Sequence, residues 1–172
     1  VVGASYVTGA EILWWHYAIG IIVAHAPDVD AILEFVQRGK VAASVEHGRD
    51  HREGLHYLIL WLVTGVVAVL LFDYWGYVFL LGVTLHFVND FYGTGWGIKI
   101  LWPLSSVNYK LFGRRVNRLK RILVEDNDWE QIPEEERKLR FIVSWTPDEL
   151  SSYIKQWGIE KVLFKTQLDF GC

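Results

Sequence analysis

The sequence predicts an all-α fold: a multi-pass transmembrane helical bundle of about three membrane helices, with a small cytoplasmic, mostly helical C-terminal extension. Three observations predict it. Residues 55–72, LHYLILWLVTGVVAVLLF, run eighteen positions without a charged side chain. Residues 74–89, YWGYVFLLGVTLHFVN, add sixteen more, separated from the first run only by Asp73. The Lys and Arg residues fall to one side of these runs. About twenty apolar residues span a bilayer core, and positions 57–72 carry no polar stripe, so a helix there needs apolar surroundings on every side.

A third stretch, ILWWHYAIGIIVAHA over residues 12–26, precedes Pro27 and reads as the first membrane helix. Trp14, Trp15, Trp61, Tyr74, Trp75 and Tyr77 fit the enrichment of Trp and Tyr at membrane interfaces. The short connection at 73–76 predicts a helical hairpin. A hairpin places residues 27–54 and everything after residue 90 on one side. That side carries Arg38, Lys40, Arg49 and Arg52 in the first segment. Over 91–121 it carries Lys99, Lys110, Arg114, Arg115, Arg118, Lys120 and Arg121, against no Lys or Arg at the turn. The positive-inside rule then makes this the cytoplasmic side of the membrane, expected to be a cytoplasmic membrane. The run GRRVNRLKR at 113–121 is suited to anionic headgroups.

The two ends of the chain differ in composition. Mean hydropathy is only +0.19, because residues 122–172 hold eleven acidic and six basic side chains. The division expected is a membrane-embedded domain over 1–110 and a basic linker with a cytoplasmic extension over 111–172. Within the extension, Pro133-Glu134-Glu135-Glu136 predicts a short helix with acids in its first turn. Thr146-Pro147-Asp148-Glu149 predicts a capped helix running to about Trp157. The segment 159–164 fits a strand or a tail helix. Cys172 is the single cysteine, so no internal disulfide forms. Opening on Val1 rather than Met, the chain is expected to lack an initial piece. Membrane lipids are the expected partners and no nucleic acid is expected.

The chemistry-bearing residues lie at the ends of the apolar runs. Pro27-Asp28-Val29-Asp30 places two carboxylates two residues apart, a spacing that aims both at one cation when the backbone is extended. His51-Arg52-Glu53-Gly54-Leu55-His56 precedes the second run. Five helical residues rotate about 140°, so His51 and His56 converge only if His51 sits in the loop and His56 in the first turn. His86 and Asp90 are four apart and share a helix face. Ionisable groups within an apolar membrane helix are costly and are functional candidates by default. Taken singly, each is as well explained by a hydrogen-bonded core residue or an exposed acid. Together they bring imidazole and carboxylate to one side of the molecule, a set suited to zinc, manganese or iron. The expected metal ligands are Asp28, Asp30, His51, His56, His86 and Asp90. His16, His25 and His47 are weaker candidates, with His25 placed to assist.

These motifs resemble the YdjM-like family of inner-membrane metal-dependent hydrolases. The matching residues are Pro27, Asp28 and Asp30; His51, Arg52 and His56; His86 and Asp90; then Gly97, Trp102 and Pro103, over roughly residues 14–105. The sequence departs from the family pattern at Glu53, where Gly is usual, and at Leu55 and Tyr57. The resemblance implies metal-assisted hydrolysis with one or two divalent ions, zinc first among them. In that reading Glu53, or an Asp outside the metal's ligands, serves as general base, and Arg52 neutralises a phosphate oxygen. The substrate expected is amphiphilic and carries a phosphate. Two alternatives differ in class. One is a metal-independent lipid phosphatase that works through a phospho-histidine, whose Ser-Arg and PSGH-like segments are missing here. The other is a non-enzymatic membrane scaffold.

Overall fold

A computed structural model describes residues 1–43, 55–93, 96–116, 126–157 and 161–165. The first half is helical: α1 (Val2–Thr8), α2 (Trp14–Ala24), α3 (Val29–Arg38), α4 (Leu58–Phe72) and α5 (Tyr74–Tyr92). A single 3-10 turn, Ala26–Asp28, links α2 to α3. Strand β1 (Lys40–Ala43) follows α3. The second half holds β2 (Asn108–Gly113), α6 (Glu134–Arg137), β3 (Arg140–Trp145), α7 (Pro147–Trp157) and β4 (Lys161–Lys165).

The predicted hairpin is present and tight. Asp73 alone connects α4 to α5, with φ 43°. Helix α5 is the centre of the helical half, since α1, α2 and α4 all pack against it. The close approach of the hairpin arms is set by Gly76. A Cβ there would sit 2.3 Å from the carbonyl oxygen of Ala68 and 2.3 Å from the Cα of Val69. Lower down, Val83, Phe87 and Ile98 are buried together, flanked by Leu58, Trp61, Phe79, Phe91 and Ile100.

The expected all-α bundle of membrane-crossing helices is overturned on two counts. Among the described residues no helix is long and apolar enough to cross a membrane. Helix α4 has 15 residues, about 22 Å at 1.5 Å per residue, against a hydrocarbon core of about 30 Å. The apolar run is longer than the helix because Leu55, His56 and Tyr57 are spent on the extended lead-in, where the Tyr57 amide donates to the Leu55 carbonyl at 2.9 Å. Helix α5 has 19 residues, but its last two turns contain His86, Asn89 and Asp90. Helix α2 has only 11. The second count is the strands. β2 pairs antiparallel with β3, and β1 pairs antiparallel with β4.

The C-terminal half has its own small core of Trp96, Val116, Ile132, Val143 and Trp145, against which Trp129 and Leu150 pack. Arg115 is ion-paired with Glu136 at 2.9 Å and lies 3.6 Å from Glu149. The helix at Thr146 starts as the sequence indicates. The Glu149 amide donates to Thr146 Oγ1 at 3.2 Å, and the Thr146 amide donates to Glu149 Oε2 at 2.9 Å, the reciprocal bonds of a capping box. Of the segment expected as a strand or a tail helix, the described part falls in β4, Lys161–Lys165. β2 runs across the expected boundary at residue 110. It also meets the helical half, because Ile98 and Tyr109 bridge. Gly97 makes that bridge feasible: its φ is +71°, and a Cβ would lie 1.9 Å from the Tyr109 oxygen.

Gly76→Ala should force the hairpin arms apart. Overpacking of this kind costs about 1–3 kcal/mol, which lowers the thermal midpoint by roughly 3–10 °C in a chain of this size. Thermal unfolding of the two proteins in the same lipid or detergent measures it, and an unchanged midpoint would show that the arms do not meet at Gly76.

Candidate metal centre

Three chain segments meet beside the C-terminal end of α5. The first is the turn between α2 and α3. His25 ends α2, Pro27 fixes the 3-10 turn, and Asp28 and Asp30 follow at the start of α3. The second is the lead-in to α4, which carries His56. The third is the last two turns of α5, which carry His86 and Asp90 one helical turn apart.

His56 is the hub, with 2% of its surface exposed. Its Nε2 lies 3.2 Å from Asp28 Oδ1 and 3.5 Å from Asp90 Oδ2. Its Nδ1 lies 3.5 Å from Asp30 Oδ2. His86 completes the group, with Nε2 3.6 Å from Asp28 Oδ1 and 3.3 Å from Asp90 Oδ2. Two imidazole nitrogens and two carboxylate oxygens therefore alternate around a small space. Donors bound to zinc at 2.0–2.1 Å in a tetrahedron are separated from one another by about 3.3 Å. Four of the six separations among these atoms, the nitrogen-to-oxygen ones, run from 3.2 to 3.6 Å. The ligand atoms of Asp28, His56 and His86 all lie within 4.8 Å of one another, a set that does not include Asp90. His86 Nε2 is buried and makes no hydrogen bond among the described residues. The residues present fit a divalent cation.

Asp30 plays a different geometric part. Its Oδ1 accepts from the Ala31 amide at 2.8 Å and its Oδ2 from the Leu55 amide at 3.2 Å. The carboxylate thus ties the start of α3 to the lead-in of α4 and faces the ring nitrogen of His56 that points away from the four-atom cluster. A carboxylate on the far nitrogen of a ligating histidine fixes its tautomer and orientation. His56 stands just outside α4 rather than in its first turn, and its lead-in is braced twice. Trp61 Nε1 donates to the Leu55 carbonyl at 2.6 Å, and the Tyr57 ring stacks on Trp102 at 4.3 Å between centroids.

His25 stands nearby, its ring centroid 6.2 Å from that of His86. Its Nδ1 donates to the Ile21 carbonyl oxygen at 2.8 Å, since a carbonyl only accepts. His16 is far from this group. It is buried at the other end of α5, where the Tyr74 hydroxyl donates to its Nδ1 at 3.1 Å and Trp15 and Trp75 enclose the ring. His47, His51, Arg52 and Glu53 lie outside the described residues.

The His56 imidazole is subject to opposed influences. Burial is the largest and disfavours its charged form. The hydrogen bonds to Asp28 and Asp30, with the attraction of the Asp30 and Asp90 charges, outweigh it and raise the pKa to about 9. A proton on His56 and a divalent cation are thus competing ways of placing positive charge among the same carboxylates.

With this geometry in view, the family assignment is direct. The chain belongs to the YdjM inner membrane protein family. The family model matches residues 1–140, which takes in all three segments of the centre. No curated protein and no solved structure matches the chain. Membership agrees with the resemblance seen in the motifs around Asp28, His56 and His86. It supports a membrane location even though no described helix crosses a bilayer.

In metal-free protein the stabilisation from protonated His56 should be fully present below pH 6.5 and lost as the pH rises through about 9. The shift corresponds to roughly 3 kcal/mol across that window. Thermal midpoints in chelator at pH 6, 7.5 and 9.5 should fall in that order, and His56→Asn should flatten the trend. A wild-type midpoint that rises toward pH 9.5 would contradict the charge balance described here.

Proposed function

We propose that this protein is a membrane-bound metal-dependent hydrolase acting on a phosphoester of an amphiphilic substrate. The observation that carries the reading is the alternating set of two imidazole nitrogens and two carboxylate oxygens, at spacings of 3.2 to 3.6 Å, drawn from three separate segments. Asp28, His56, His86 and Asp90 would hold the ion, with Asp30 orienting His56. Mixed nitrogen and oxygen donors suit zinc best, and also manganese or iron. A divalent ion in such a site acidifies water and polarises a phosphoryl oxygen.

The protein groups carry the rest of the reaction. Water adds to phosphorus, the ester P–O bond breaks, and the alcohol leaves with a proton. His25 offers a free Nε2 lone pair close to His86 and is placed to take the proton from the attacking water. Arg52 and Glu53 keep the roles that the sequence suggests, phosphate neutralisation and proton transfer.

Apolar side chains exposed on the helices support contact with lipid. Leu70, Leu71 and Phe72 at the tip of the hairpin are 79%, 68% and 64% exposed. A contiguous exposed apolar surface of this kind marks an interaction with membrane or protein. As part of the same proposal the site faces the cytoplasm, since the basic segment at 113–121 favours the anionic cytoplasmic leaflet.

Metal per chain should be near one or two in wild-type protein purified without chelator, and should fall at least several-fold in His56→Ala, His86→Ala and Asp28→Ala. His16→Gln, at the far end of α5, should keep its metal. Elemental analysis of the four variants and wild type measures this, with hydrolysis of bis(p-nitrophenyl) phosphate followed in parallel. Wild-type protein that takes up no zinc, manganese or iron would sink the proposal.

A further inference from the structure

Two apolar grooves beside the metal centre have no part in the chemistry above. The first, about 130 Å³, lies between α4 and α5 and is lined by Leu58, Leu62, Phe87, Val88, Phe91 and Ile98 among others. The second, about 250 Å³, runs along α4 over Leu62, Val63, Val66 and Val67. Leu62 lines both, and the second is an open face of α4 alone. From Leu58 to Val67 the track covers nine helical steps, about 13 Å. An apolar cavity of about 150 Å³ is large enough to bind benzene, so the first groove alone admits only a short apolar segment. A longer linear chain would leave that groove at Leu62 and continue over the open α4 face of Val63, Val66 and Val67.

One end of the track abuts the metal centre. Phe87, 2% exposed, lines the first groove. Its ring also stands edge-on to His56 and His86, at 5.9 Å and 5.7 Å between centroids. The other end reaches Val66 and Val67, which are 53% and 47% exposed and continue into the apolar hairpin tip. A chain lying in the track would have one end against Phe87, whose ring borders the imidazoles, and the other in the surface that a member of an inner-membrane family offers to lipid.

We infer that the Leu58–Leu62–Val66 track, ending at Phe87, is a subsite for the alkyl or isoprenoid chain of the substrate. Phe87 separates the apolar chain from the polar centre and sets the distance between chain and scissile phosphate. The inference rests on the hydrolase reading for its head group, but the track is built from residues that hold no metal.

The test uses methyl-, butyl-, octyl- and decylphosphonate with the full chain in lipid nanodiscs, empty nanodiscs serving as the blank. Each methylene that enters the track should tighten binding about three- to fourfold, with the gain levelling off once the chain exceeds the track. Leu62→Trp should remove most of the gain while leaving methylphosphonate binding unchanged. Val66→Trp, at a more exposed position, should remove only the gain between octyl and decyl. Affinity independent of chain length, a gain that survives Leu62→Trp, or no binding of any probe overturns the inference. Repeating the series after chelation separates the two proposals. If the metal reading alone is wrong, chelation changes nothing and the chain-length gain persists. If the track alone is wrong, chelation weakens every phosphonate equally and no gain is seen.

Discussion

Carboxylates gathered around a buried imidazole must be compensated by positive charge, and the helical half of this protein is arranged around that requirement. His56 touches Asp28, Asp30 and Asp90, which come from two other segments of the chain. Removing a charge partner from such a buried group typically costs several kcal/mol. The arrangement therefore constrains the turn after α2, the lead-in to α4 and the end of α5 together. The hairpin connector Asp73, the contact at Gly76 and the Trp102 ring stacked on Tyr57 each act at a distance from the centre, yet each limits where His56 or His86 can stand. The centre is preorganised by packing rather than by flexible loops, which suits a site that must hold donors a few ångströms apart.

Much of the helical half was legible in the sequence. The apolar runs gave α2, α4 and α5, and the spacing of His86 and Asp90 placed both on one face, as found. The length of those helices was not legible. Hydropathy counts apolar residues without regard to backbone shape, so Leu55 and Tyr57 were read as helix although they form an extended approach that buries His56. The same blindness hid α3. Its residues VDAILEFVQR follow directly on Pro27-Asp28 and include Asp30, a composition that reads as loop. Apart from β4, which overlaps a segment open to a strand reading, the strands escaped for a different reason. β2 and β3 are six residues each, too short for alternation to stand out, and β1 and β4 pair across more than a hundred residues of chain. Pairing at that separation leaves no local signal.

At the site, residue type was legible and role was not. Asp28 and Asp30 looked equivalent as a D-x-D pair aimed at one cation. The turn at Pro27 breaks the extended geometry, so the two carboxylates diverge onto opposite nitrogens of the same ring. One faces the donor cluster and the other fixes the tautomer. Gly97 and Trp102, matched only as motif letters, turn out to support the bridge to β2 and the ring stack under His56.

The membrane location and the helix lengths are reconciled by where the apolar surface lies. A helix needs about twenty apolar residues to cross a bilayer core, and none of the described helices meets that requirement. Yet α4 is apolar on nearly every face, and its outer residues stay uncovered along its whole length. Burying that surface against lipid requires contact, not passage. An apolar hairpin whose tip carries Leu70, Leu71 and Phe72 and whose other end carries the His–Asp cluster has a polarity along its axis. The polar end holds its charges in water or against a cation, and the apolar flank of the other end gains by contact with hydrocarbon while Asp73 at the turn stays at the interface. A ligand with a charged head and an apolar tail has the same polarity, which is the ground for the proposal that the groove beside Phe87 and the His–Asp cluster serve one substrate.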